Sequence, residues 1–205
     1  MNPLEIGIQF GALLVAVICH EVAHGVVAGW FGDPTARDAG RLTLNPIPHI
    51  DPLGSIILPL LFFISGSHFM IGWAKPVPVD PRYFKRPTRD MMWVAVAGPL
   101  TNFTLAVMAS MVLRVMGVVA VWPVLVYGLA VFVQINILLM VFNLLPIPPL
   151  DGSRVMIHFL PPDWRASWAR MEPFGILIVF GLAYFGLLFP LIDWIYLPLV
   201  SRLLG

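Results

Sequence analysis

AVICHEVAHGVV, residues 16–27, sets two histidines and a glutamate inside a run that is otherwise apolar. The surrounding residues 4–31 are long enough to cross about 30 Å of hydrocarbon at about 1.5 Å per residue. A charged side chain at the centre of such a span costs roughly 2.5–3.5 kcal/mol even on insertion scales. Three titratable groups become tolerable there if they face a hydrated pocket and hold a cation. On a helix His20 and His24, four residues apart, differ by about 40° in azimuth, so one face presents both imidazoles. His20-Glu21-Val22-Ala23-His24 is an HExxH motif. Its histidines suit a catalytic zinc with an open position, and its glutamate sits where it can take a proton from a metal-bound water without being a ligand.

The rest of the chain is of the same kind. Of its 205 residues 59% are hydrophobic and only 11% charged, a composition far too apolar for a soluble domain of this size. A net charge of +1 without runs of like charge gives no sign of nucleic acid as a partner. The single Cys19 forms no internal disulfide. MNPLEIGIQF lacks the basic region and cleavage site of a signal peptide, so the first helix is expected to be retained.

Further spans are expected over 91–113, 122–145 and 173–200. Residues 53–73 are apolar but broken by Pro59, Gly66, Ser67 and His68, and read either as a re-entrant segment or as an additional span. Between the first and second strong spans, Arg41-Leu42-Thr43-Leu44 alternates like a short strand. The fold class is therefore an all-α polytopic membrane protein in one domain, 1–205: a three-helix core, a C-terminal span, and a short β or re-entrant region between the first and second core helices.

Three protein ligands are usual for a catalytic zinc. FNLLPIPPLDGSR, residues 142–154, supplies the candidate Asp151, because Pro146, Pro148 and Pro149 stop the helix and leave irregular backbone, which membranes admit only where it lines protein or water. An ordinary turn aspartate before Gly152 is the bland alternative. His49 beside Asp51, His68 and His158 read as loop, interface or internally bonded residues rather than as a second metal site.

HExxH in an early span, NLLPIPPLDG after a later one, and AGPLTN (97–102) between them, in that order, resemble the site-2 protease family of zinc intramembrane metalloproteases. LTLNPIPHIDPLGSI (42–56) with GWAKPVPV (72–79) is similar to that family's small members, and the 205 residues hold no PDZ or CBS domain. The resemblance covers about residues 12–158. It implies one zinc ion held by His20, His24 and Asp151, with Glu21 as general base and then proton donor to the leaving amine. It implies that Asn143 contacts the substrate backbone or the developing oxyanion, a helix-end cap being the alternative. Asn102 reads either as a substrate contact or as packing beside Gly98. The implied substrate is a single-span membrane protein or signal-peptide remnant, cut within or next to the lipid bilayer. The strand edges 40–44 or 74–79 are expected to pair with the unwound substrate. A metal transporter would spread ionisable groups over several spans, and a catalytically silent binding protein of the same fold has no need of Glu21.

Charge sets the expected orientation. Lys75, Arg82, Lys85, Arg86 and Arg89, then Arg154, Arg165 and Arg170, fall on the side where the histidines and Asp151 must meet, whereas Arg114 and Arg202 fall opposite. The positive-inside rule makes the site side cytoplasmic in a multi-pass protein of the cell membrane.

Overall fold

The computed structural model describes residues 2–57, 61, 64, 74–116 and 122–205. Its helices are α1 (Pro3–Trp30), α2 (Thr35–Asp38), α3 (Pro87–Met116), α4 (Pro123–Asn143), α5 (Asp151–Phe159), α6 (Pro162–Ala169), α7 (Gly175–Tyr184) and α8 (Leu188–Leu204). Short 3₁₀ turns stand at Ile47–His49, Pro81–Tyr83 and Glu172–Phe174, and a π turn at Pro52–Ile57. α1, α3, α4 and the run Pro162–Tyr184 are long and apolar enough to cross a membrane. The protein is an all-helical, multi-pass membrane protein.

α1 starts on a capping box: the Asn2 side chain accepts from Leu4 N at 2.7 Å, and Asn2 N donates to Glu5 at 3.2 Å. It ends where Gly32, at φ +100°, turns the chain into the left-handed region, with Gly32 N bonded to Gly29 O and Asp33 N to Ala28 O, both at 3.0 Å. This is a Schellman closure, which satisfies carbonyls a helix end would otherwise orphan. Gly186 (φ +69°) repeats it after α7 through Gly186 N to Ala183 O and Leu187 N to Leu182 O. The stretch 173–200, expected as one span, is accordingly two helices with a break at that glycine.

α3 is the centre of the bundle and packs on α1, α4 and α5. Its buried Ala95, Ala97, Gly98, Ala106 and Ala109 keep the contact surface low, so neighbouring backbones approach closely. Away from the site, Ala106, Ala109, Val133, Ile137, Leu188 and Ile192 join α3, α4 and α8 in one apolar core. At the other end, buried Asp33 accepts from Asp80 N at 2.7 Å and from Thr35 N at 2.9 Å, tying the end of α1 to the approach to α3. Lys75 N bonds His49 O at 2.9 Å, which joins residues 49 and 75.

No strand occurs among the described residues. Residues 42–44, expected in a strand, are bends, because their groups are taken locally. The imidazole of His49 lies 2.9 Å from Thr43 O, and Thr43 Oγ1 accepts from Asn45 N at 3.1 Å. The expectation for 53–73 lies, beyond Ile57, almost wholly outside the described residues.

Candidate metal centre

His20 and His24 stand on consecutive turns of α1, about 15 and 9 Å of helix rise below Trp30. Their Nε2 atoms face Oδ2 of Asp151 at 3.0 and 3.3 Å. All three ligand atoms lie within 4.8 Å of one another, and both histidines are buried. Ligands about 2.0–2.1 Å from a tetrahedral ion stand roughly 3.3 Å apart, the spacing found here. Asp151 reaches this position as the first residue of α5. After α4 the chain folds through Pro146, Pro148 and Pro149, and a side chain at Gly152 would strike the carbonyls of Leu144 and Leu145. The glycine lets the start of α5 lie directly on the end of α4.

The donors fit a cation. Nδ1 of His24 lies 2.7 Å from the carbonyl of Val94, which can only accept, so that nitrogen carries the proton and Nε2 presents a lone pair. Oδ2 of Asp151 is buried without a hydrogen-bond donor. Electron-pair donors thus converge from α1 and α5. α3 covers them at Gly98, where a β-carbon would sit 2.5 Å from Nε2 of His20 and 2.6 Å from Nε2 of His24. Among the described residues this is the one cluster of three histidine, cysteine or acidic side chains with metal-ligand spacing.

Glu21 shares a cavity of about 180 Å³ with the histidines, Asp151 and Asn143. Its Oε2 accepts from Val77 N at 2.7 Å. Sequence reasoning missed this contact. Its signal lies in AKPVPV, where Pro76 and Pro78 have no N–H and Val77 is left as the donor between them. The strap closes on α1 at Gly25, where a β-carbon would come within 2.9 Å of Val77 and Ala36 and 2.6 Å of Leu42. Its amides are committed: Lys75 N to His49, Val77 N to Glu21, Asp80 N to Asp33.

Asn143 lines the cavity, and its amide donates to Leu139 O at 2.9 Å. Asn102 does not line it. It is fully buried behind His20, where its Oδ1 lies 2.6 Å from His20 Nδ1. His49 is buried against Thr43, and His158 is half-buried on α5.

Fold and site together define a multi-pass membrane protein in which an HExxH motif and a distant aspartate form a candidate metal centre. The chain is 38% identical over 172 residues to "Putative zinc metalloprotease YwhC" of Bacillus subtilis, covering 81% of this chain and 75% of that protein. It is 31% identical over 189 residues to "Putative zinc metalloprotease Rip2" of Mycobacterium tuberculosis, covering 89% and 70%. No family model and no solved structure matches it. The chain belongs to the site-2 protease family of zinc metalloproteases.

Proposed function

We propose that the protein is an intramembrane zinc metalloendopeptidase that hydrolyses peptide bonds of transmembrane substrates near the cytoplasmic side of the cell membrane. The observation that carries this reading is the convergence of His20, His24 and Asp151 beside Glu21 in one cavity, below the end of a span. When bound, zinc supplies Lewis acidity and brings water ionisation near neutral pH. Glu21, held by Val77 N, takes the proton of the attacking water as its oxygen joins the scissile carbonyl carbon. It returns that proton to the leaving nitrogen as the C–N bond breaks. Asn143 lies where its amide can donate to substrate. A substrate helix must unwind first, because its carbonyls are hydrogen-bonded and shielded. With the amides of Lys75, Val77 and Asp80 committed, the strap pairs with an unwound segment mainly through its carbonyls.

The basic loop before α3 and Arg154 share the site end, and by the positive-inside rule this supports a cytoplasmic site end. The substrate class is a single-span protein or signal-peptide remnant. Against transport, the buried polar groups of α3 and α4 are consumed internally: Ser110 bonds Leu203 O and Asn136 bonds Phe132 O, so they form no path. The test is Glu21→Gln against His24→Ala, with zinc content and cleavage measured on purified protein. Glu21→Gln is expected to keep zinc and lose about 10²–10⁴ in rate, His24→Ala to lose both. Cleavage at the native rate by Glu21→Gln would overturn the reading. Comparative membrane proteomics then finds the substrates as single-span fragments that accumulate with the glutamine variant.

A further inference from the structure

At Nδ1 the imidazole of His24 has its proton fixed by a backbone carbonyl; Nδ1 of His20 has only an amide side chain beside it, while its Nε2 lies 3.0 Å from Oδ2 of Asp151. An amide presents a carbonyl on one side and an NH₂ on the other, and their order is read from the surrounding bonds. If the NH₂ of Asn102 faced Nδ1 of His20, the ring proton would move to Nε2, towards the ion, and the ligand would be lost. Something must set the order.

The bonds around Asn102 do so. Asn136, on α4, has its Nδ2 2.8 Å from Phe132 O. A backbone carbonyl only accepts, so Asn136 must turn its NH₂ to Phe132 and its carbonyl oxygen outward. That oxygen lies 2.9 Å from Nδ2 of Asn102, whose other amide hydrogen serves Ala16 O at 3.2 Å. Both hydrogens of Asn102 are thereby taken by obligate acceptors, and its Oδ1 faces His20 Nδ1 at 2.6 Å. Asn102 and Asn136 have no solvent-accessible surface, so water cannot substitute for either. In a lipid-embedded bundle, two buried amides whose hydrogen bonds run to α1, α3 and α4 are costly unless fully bonded.

We infer that Asn136 and Asn102 are positioning residues that run from the Phe132 carbonyl to His20 and hold it as the Nδ1–H tautomer, leaving Nε2 free for the ion. The inference rests on the zinc-site reading, but the tautomer can be measured separately, without the metal and with the Asp151 carboxylate removed.

The experiment uses detergent-solubilised full-length protein with ¹⁵N-labelled histidine. Tautomer is read by NMR in the metal-free form of an Asp151→Ala background, which removes the carboxylate facing Nε2 of His20, and zinc affinity by competition with a fluorescent chelator in protein that keeps Asp151. With Asn102 and Asn136 intact, His20 is protonated at Nδ1. Asn102→Leu is expected to populate the Nε2–H form and weaken zinc about 10- to 100-fold, the usual range for losing an outer hydrogen-bond partner of a ligand. Asn136→Leu shifts both in the same direction by less, because Ala16 O still orients Asn102. Asn102→Asp in the Asn136→Leu background is expected to restore both, since a carboxylate accepts from Nδ1–H whichever oxygen faces it. A merely structural pair would lower thermal stability while leaving tautomer and affinity unmoved. Folded Asn136→Leu and Asn102→Leu proteins with the native tautomer overturn the inference, as does failure of the aspartate to rescue. Where Asn136→Leu does not fold, Asn102→Asp and Asn102→Leu alone decide it, the first keeping the native tautomer and the second losing it. If native protein binds no zinc yet the tautomer follows these substitutions, the metal reading falls and this inference stands.

Discussion

Replacing Gly98 with alanine puts a methyl group where His20 and His24 turn their metal-facing edges. The added carbon would sit 2.5 Å from one Nε2 and 2.6 Å from the other. A normal contact is about 3.5 Å, so both rings must retreat by roughly 1 Å. Neither can do so freely, since their Nδ1 atoms are held at 2.6 and 2.7 Å on the opposite side. A displacement of about 1 Å at a reacting centre costs on the order of 10²-fold, and a comparable loss of zinc affinity is expected. For stability, helix propensity favours alanine by about 1 kcal/mol, whereas overpacking a filled site costs about 1–3 kcal/mol. The variant should therefore be neutral to about 2 kcal/mol less stable. Gly11→Ala is the control: nothing lies within 4 Å of its β-carbon, so propensity acts alone. Zinc dissociation constants from chelator competition, with thermal unfolding in detergent, measure both effects. Zinc binding by Gly98→Ala within twofold of native would refute the placement of α3 over the ligands.

Three further outcomes are expected. Gly25→Ala pushes on Leu42, Ala36 and Val77, so it should lower turnover about tenfold or more, in proportion to the 10²-fold cost of a 1 Å displacement; zinc content read by mass spectrometry should stay native. Asn143→Ala should leave zinc affinity unchanged and reduce kcat/KM; a loss of about 10²-fold or more is the range for an oxyanion donor, and steady-state cleavage of a fluorogenic transmembrane peptide measures it. Removing zinc with a chelator should lower the unfolding midpoint: at a free ion concentration about 100 times Kd, binding adds about 2.7 kcal/mol, and calorimetry with and without zinc reads the difference.

The long elements were legible because their cause is local. Apolar runs of membrane length, bounded by Pro3, Gly32, Pro87 and Pro123, specify α1, α3 and α4 with little tertiary help. The pairing of His20 with His24 follows from helical period alone, and the proline run before Asp151 marks a place where backbone must line something. What escaped is what depends on partners. Whether 41–44 pairs as a strand is decided by neighbours that take its groups, and Arg41 instead sends its guanidinium to Lys75 O at 2.5 Å. Asn136 carries a signal, an amide in an apolar span, but its meaning comes only from α3 standing beside it. The division of the last span at Gly186 was visible as a glycine, yet glycine is common in membrane helices and only its bonds reveal a stop.

His24 and Asp151 stand far apart in the polypeptide, with α3 and α4 between them. At a synthesis rate of about 5–20 residues per second, the histidines leave the ribosome roughly 6–25 s before the aspartate. Throughout that interval the nascent chain holds only two of the three ligands that a catalytic zinc usually takes. On the function proposed above, the nascent chain cannot cut anything until Asp151 has emerged and α5 has folded onto the end of α4.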